Sequence, residues 1–408
     1  MTDVATQELF LWRQPILDRG QNLAGYELLF RSGRFDRAKI GGDDDVVASH
    51  TVIHHAFTEL GVEAVLGKHP GYINLNAALL MSDVIELLPR AKVVLEILET
   101  VKVDSALINR CIDLKQMGFT LALDDFVGHE REFTDLLDVV DIVKVDVQRL
   151  TPEALATVTG RLKPLGRKLL AEKVESRELA QRCRAFGYEL FQGYYFARPD
   201  PVTGRRLSRS EAALMRLLRL LLGDGQEGID AVLSEHPELS ETLSRLARLV
   251  TAGDPIAAPS ARRPQRWLPL LVYMVSSAPG AEIPSPLLIL AATRGKLMEL
   301  LTRALRPGDR EAQERAFLTG TLSLVSALLA SPLQKILGTL PVATDVRCAL
   351  LAREGESGAL LALVEALEAA DVGTVERALD RVPGLDHGRV IGLQVEAMRW
   401  ANFIGEPG

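Results

Sequence analysis

Cysteine is scarce in this 408-residue chain: Cys111, Cys183 and Cys348 are widely spaced and odd in number, which indicates neither a disulfide framework nor a zinc knuckle. A reducing cytoplasm is the expected setting. A basic excess is missing as well. With 47 Lys and Arg against 54 Asp and Glu, the formal charge of -7 excludes a general nucleic-acid binder, which needs a basic face to neutralise phosphates. The start MTDVATQELF lacks a basic segment followed by an apolar one, so no signal peptide is expected. Long apolar runs are also lacking. The charge-free stretches from Trp267 to Ala281 and from Phe317 to Gln334 are broken by Ser, Thr, Gly and Pro, and no membrane helix is expected.

What is present divides the chain in two. From the start to about residue 200, short β-rich runs alternate with helical ones, and the predicted strands are 9–17, 22–31, 71–76, 93–98, 120–126, 141–147, 168–173 and 188–192. The segment from Asp18 to Asn22 is too short for a crossover helix, so the first two strands form a hairpin and run antiparallel. Amphipathic stretches such as Asp45 to Leu60 separate later strands. Eight strands in this order predict an α/β TIM-like barrel with one antiparallel strand. A doubly wound open sheet is the alternative, but it would gather ligands at one switch point. Past Pro199-Asp200-Pro201 the period is helical almost throughout, with breaks at Gly253-Asp254-Pro255, Pro279-Gly280, Pro307-Gly308 and Pro341. A boundary near residue 206 therefore separates a barrel domain, 1–205, from an all-helical domain, 206–408.

Polar residues that are costly to bury recur at the ends of the apolar runs: Glu27, Asn74, Glu96, Asp124 with Asp125, Lys144, Glu172 with Glu175, and Gln192. In the run from Ile142 to Asp146, alternation sets Lys144 on one face with Ile142 and Asp146, and Val143 and Val145 on the other. A lysine inside a barrel needs carboxylates nearby. Taken singly, Asp124-Asp125 would equally serve as a helix cap, Lys144 as half of an ion pair, and Glu172 with Glu175 as a solvated helix start. Their recurrence at the same end of strand after strand points instead to a shared cation.

These residues resemble a known family. Tyr26-Glu27-Leu28-Leu29-Phe30-Arg31 is similar to the signature that gives EAL domains their name, Leu95-Glu96-Ile97-Leu98-Glu99 to the LEITE motif, and Asp124-Asp125-Phe126 to DDF. Lys144-Val145-Asp146 resembles KID, Ala171-Glu172-Lys173-Val174-Glu175 resembles AEGVE, and Gln192-Gly193-Tyr194-Tyr195-Phe196 resembles QGYFF. The resemblance implies a barrel that hydrolyses cyclic di-GMP with two divalent ions, Mg²⁺ or Mn²⁺. It implies that Glu27, Asn74, Glu96 and Asp124 ligate metal, that Asp125 ligates the second ion, and that Lys144 helps hold the nucleophilic water. Glu172 is then the general base, Glu175 a supporting carboxylate, Gln192 a site amide and Arg31 a phosphate contact.

The chain also departs from that pattern. The family's GTGYSSL loop, which couples dimerisation to assembly of the second metal site in active members, is replaced by the segment from Val127 to Phe133, and Lys173 stands where AEGVE has glycine. In the second half, the runs Leu233 to Ser240, Ala291 to Leu301 and Ala316 to Gly320 resemble the HDOD domain joined to EAL domains in bacterial signalling proteins. There is no His-Asp dipeptide, and His236 and His387 stand apart from acidic clusters of metal-binding spacing. Two functions follow from the resemblance: a cyclic di-GMP sensor or docking module whose helical domain addresses a protein partner, and a working phosphodiesterase regulated by that domain. The expected partners are cyclic di-GMP, a protein bound through the helical domain, and a second copy of the chain, without nucleic acid or membrane.

Overall fold

Strand alternation in the first half closes a ring. The computed structural model describes residues 9–32, 65–128, 130–193, 209–223, 228–237, 239–242, 244, 246, 268–275, 286–329, 331–369 and 371–404. Eight strands, β1 (Leu9–Asp18), β2 (Leu23–Ser32), β3 (Gly71–Leu75), β4 (Val93–Ile97), β5 (Thr120–Phe126), β6 (Ile142–Asp146), β7 (Lys168–Glu172) and β8 (Leu190–Phe191), form a closed barrel in chain order. β1 pairs antiparallel with both β2 and β8, and every other pair is parallel. The short first turn accounts for the reversal. Its Asn22 amide donates to the Asp18 carboxylate at 2.8 Å, which tightens the hairpin.

One apolar layer fills the barrel. Ile16, Tyr72, Val94, Ala122, Ile142 and Leu170 are buried against one another, and Leu190 packs on them. They come from seven of the eight strands, as expected where side chains at i and i+2 face the same interior. Helices Ser105–Gln116, Pro152–Leu162 and Arg177–Phe186 surround the sheet, and each starts at a side-chain cap, from Asp104, Thr151 and Ser176 respectively. Such a cap is worth about 1 kcal/mol and fixes where the chain leaves its loop. Cys111 and Cys183, on the first and last of these helices, are buried and free, and Cys348 is free as well.

The chain separates into two compact units, Met1–Phe196 and Ala197–Gly408. The expected boundary near residue 206 lies outside the described residues, as do the segments Asp45 to Leu60 and Thr251 to Gln265. In the second unit the described secondary structure is helical, with Pro286–Leu305, Gly355–Glu368 and His387–Ile404 the longest helices after residue 223. Pro307-Gly308 and Pro341 separate helices as the sequence predicts. Helix Pro286–Leu305 lies hard against Arg310–Leu322, because a Cβ on Gly320 would stand 2.7 Å from the Arg294 carbonyl oxygen and 2.8 Å from the Gly295 Cα. The buried Arg294 guanidinium spans three helical segments, donating to Glu368 and to the Ser323 hydroxyl. Among the described residues no helix is long and apolar enough to cross a membrane.

Candidate functional site

Two residues past each member of the apolar layer on β3 to β8, on the same interior face and nearer the carboxyl end of the strand, stands a polar side chain. Asn74 follows Tyr72, Glu96 follows Val94, Asp124 follows Ala122, Lys144 follows Ile142, Glu172 follows Leu170, and Gln192 follows Leu190. The pleat that packs the floor thus also builds the site above it. Glu27 joins from within β2, where its register partner is Tyr72, so it belongs to the middle of a strand and not to its end.

Lys144 is the hub. Its ammonium, fully buried, lies 2.7 Å from Glu96, 2.7 Å from Asp124, 2.9 Å from Glu172 and 3.5 Å from Glu27. Glu27 is held from the other side as well: the Asn74 amide donates to its Oε1 at 3.0 Å and the Gln192 amide to its Oε2 at 2.6 Å. Gln192 is fixed in turn by its backbone. Its N–H donates to the Ala171 carbonyl at 2.8 Å, and its carbonyl accepts from Val174 at 3.0 Å. The next residue, Gly193, has φ +148°, and a Cβ there would fall 2.3 Å from the Val174 nitrogen.

One ammonium among four carboxylates leaves the cage with excess negative charge if all are ionised. The protonation equilibria divide accordingly. Burial alone pushes the Lys144 ammonium down, but Glu96, Glu27, Glu172 and Asp124 together outweigh it and raise its pKa well above the ordinary value. Burial dominates at Glu96, Asp124 and Glu172, raising all three despite Lys144, with Glu172 pushed up to about 8. Glu27 goes the other way. Burial opposes its charge, yet Lys144 and the two amides hold its carboxyl below the ordinary value. The cage therefore keeps one carboxylate firmly charged and leaves others ready to exchange a proton for a cation.

A second, outer ion group lies beside the first. Lys173, immediately after Glu172, donates from Nζ to Asp125 at 2.7 Å and to Asp146 at 2.6 Å. The Asp146 side chain is 1% exposed, and its other oxygen accepts from the Gln148 and Arg149 amides at 3.1 and 3.2 Å. Asp125 and Lys173 both adopt left-handed backbone, with φ +46° and +55°. That conformation turns each away from the direction strand alternation would give it.

The structure thus brings Glu27, Asn74, Glu96, Asp124, Lys144, Glu172 and Gln192 together, and puts Asp125 in the adjoining group. Glu175 is exposed three residues beyond Glu172. Arg31 belongs to β2, and its side chain lies outside the described residues. Two residues did not stand out in the sequence: Asp146, seen there only as a residue on the Lys144 face, and Tyr72, which belongs to the apolar layer two residues before Asn74.

The donor set fits a hard divalent ion in kind. Glu96 Oε2, Glu172 Oε2, Asn74 Oδ1 and Gln192 Oε1 are buried oxygens without a hydrogen-bond partner, the condition that an oxygen-seeking cation relieves. Their present arrangement is centred on Lys144: among the described residues no three His, Cys, Asp or Glu side chains are grouped to hold a metal ion by themselves.

A family model for the EAL domain matches residues 1–199. The cyclic di-GMP phosphodiesterase CdgJ of Vibrio cholerae is 31% identical over 405 residues, covering 97% of this chain and 93% of its own. YuxH of Bacillus subtilis is 29% identical over 413 residues, covering 97% and 98%. Among solved structures, a manganese and cyclic di-GMP complex of Klebsiella pneumoniae BlrP1 at pH 9.0 is 25% identical over 48% of this chain and 57% of that chain, with a TM-score of 0.41.

Proposed function

Because the chain belongs to the EAL domain family, we propose that its barrel recognises cyclic di-GMP through a divalent cation and acts in cyclic di-GMP signalling as a nucleotide sensor or docking module. The helical unit, read as an HDOD-type domain, then carries the signal to a protein partner. The observation that carries this reading is the cage around Lys144. Three of its four caged carboxyls have raised pKa values and so carry protons that a divalent ion can displace, and Mg²⁺ or Mn²⁺ seated among them would present positive charge to a ligand bearing two phosphates.

In this reading Glu27, Asn74, Glu96 and Asp124 hold the ion, with Asp125 as the acidic group nearest a second one. A bound divalent ion supplies charge neutralisation and lowers the pKa of a coordinated water. The protein's own groups do the rest. Asn74 and Gln192 orient Glu27, Lys144 pairs with all four carboxyls, and Arg31 offers a forked cation to a phosphate oxygen. Glu172 is the general base of this reading, and Glu175 supports it from the loop beyond. The replacement of the family's coupling loop by Val127 to Phe133 supports binding over turnover.

The second reading is an active phosphodiesterase. It is favoured by the completeness of the carboxylate set and by the name of the full-length relative in Vibrio cholerae. One experiment separates the two: the purified chain is mixed with cyclic di-GMP and Mn²⁺, binding is followed by calorimetry, and linear dinucleotide is followed by chromatography. The sensor reading expects binding with scarcely any product. Rapid hydrolysis that disappears in Glu172→Ala establishes the phosphodiesterase instead, and absence of binding rejects both.

A further inference from the structure

We infer that Lys173 is a tethered cation that stands where the mouth of the barrel would otherwise take a further divalent ion, and so lowers by one the number of ions the site binds. The inference deepens the reading of that mouth as a cation-dependent nucleotide site and rests on it.

Three independent observations converge. The first is backbone conformation. Lys173 sits at φ +55°, a region where a β-carbon costs about 1 kcal/mol or more relative to glycine, so something must offset the strain of lysine there. The second is what its side chain does: from that backbone, Nζ reaches both Asp125 and Asp146 at ion-pair distance. Asp146 is buried, and its other oxygen is already spent on two backbone amides, so without Lys173 one carboxylate oxygen would face the mouth uncompensated. The third lies next door. Glu172, 6% exposed and paired with Lys144 through Oε1, keeps Oε2 buried without a hydrogen-bond partner, so the strand end carrying Lys173 also carries an oxygen with coordinating capacity to spare.

An ammonium and a divalent ion do different work in such a place. Lys173 supplies positive charge to an approaching phosphate, and its side chain is 45% exposed and able to meet one. It cannot coordinate a water and lower its pKa as a metal ion does. A mouth with this lysine would keep electrostatic attraction for the dinucleotide and lack one of two water-activating ions, as the sensor reading requires.

The test counts ions in the full-length chain. Mn²⁺ is titrated into the parent, Lys173→Gly and Lys173→Asn, and free Mn²⁺ is read by electron paramagnetic resonance. Glycine and asparagine both tolerate the left-handed backbone, so either variant serves if the other is poorly folded. Each variant is expected to bind one more Mn²⁺ per chain than the parent, and Lys173→Gly combined with Asp125→Asn is expected to lose that gain. Equal stoichiometry in parent and variants, or a gain that survives Asp125→Asn, overturns the inference. The parent's own stoichiometry reports separately on the proposed function: a parent that binds no Mn²⁺ rejects the cage as a cation site, whether or not removal of Lys173 adds an ion.

Discussion

Asp124 and Asp125 are consecutive in sequence and serve different ammonium groups, Asp124 meeting Lys144 inside the barrel and Asp125 meeting Lys173 at its mouth. The left-handed φ of Asp125 makes this division, because a residue that continued the strand would point away from the interior altogether. Glu172 and Lys173 repeat the arrangement on β7, one residue paired inward and the next paired outward. Two adjoining ion groups are thus linked through two dipeptides.

Replacing Lys144 by Met should destabilise the metal-free protein by about 3–5 kcal/mol, the usual result of stripping a buried partner from ionised groups. Added Mn²⁺ should recover part of the loss, since a cation would again sit among Glu27, Glu96, Asp124 and Glu172. Urea denaturation with EDTA and with Mn²⁺ measures both effects.

Glu27→Ala and Asp124→Ala should each lower Mn²⁺ affinity beyond detection by calorimetry. Gln192→Ala takes away only a group that aims Glu27, and should weaken binding by about 10- to 100-fold. If all three bind as the parent does, the cage is not the cation site.

Stability of the metal-free protein should fall as pH rises towards 8. Glu172 is raised from 4.5 to about 8, so between those values the folded state holds a proton that the unfolded chain has released. The contribution is present in full below pH 4.5 and is lost as the pH climbs through the folded value, with a slope of up to ~1.4 kcal/mol per pH unit from this group. Denaturation midpoints at pH 5.5, 6.5 and 7.5 in EDTA test it, and Glu172→Gln should flatten the profile.

Gly193→Ala should damage both folding and the site. Its Cβ would stand 2.3 Å from the Val174 nitrogen and 2.4 Å from the Val174 oxygen, so the β7 and β8 ends must part and carry Gln192 off Glu27. A loss of about 1–3 kcal/mol from backbone strain is expected, together with weaker Mn²⁺ binding. A variant with unchanged melting and unchanged metal affinity would show that the close approach is unimportant.

Much of the barrel was legible because its two signals are periodic. Apolar runs gave the strands within a residue or two, and the four-residue gap after Asp18 gave the one reversal. The inner cage was legible for the same reason: Lys144 alternates with Val143 and Val145, so its burial implied carboxylates on neighbouring strands. The outer group was not. Alternation carries no information past the end of a strand, and it is the left-handed turns at Asp125 and Lys173 that bring those side chains together. A lysine in place of glycine was visible in the sequence, but its partner Asp146 looked like one more residue on the Lys144 face. Glu175, given a supporting role only by the family resemblance, is exposed in the loop after β7.

The layer formed by Ile16, Tyr72, Val94, Ala122, Ile142 and Leu170 turns the barrel into a blind well. A packed interior of this kind is no conduit. Whatever reaches Lys144 comes down from the rim and departs by the same route, so on the proposed function occupancy would become a matter of sequence in time: an ion seated beneath a nucleotide would arrive before or with it and stay captive until the nucleotide leaves.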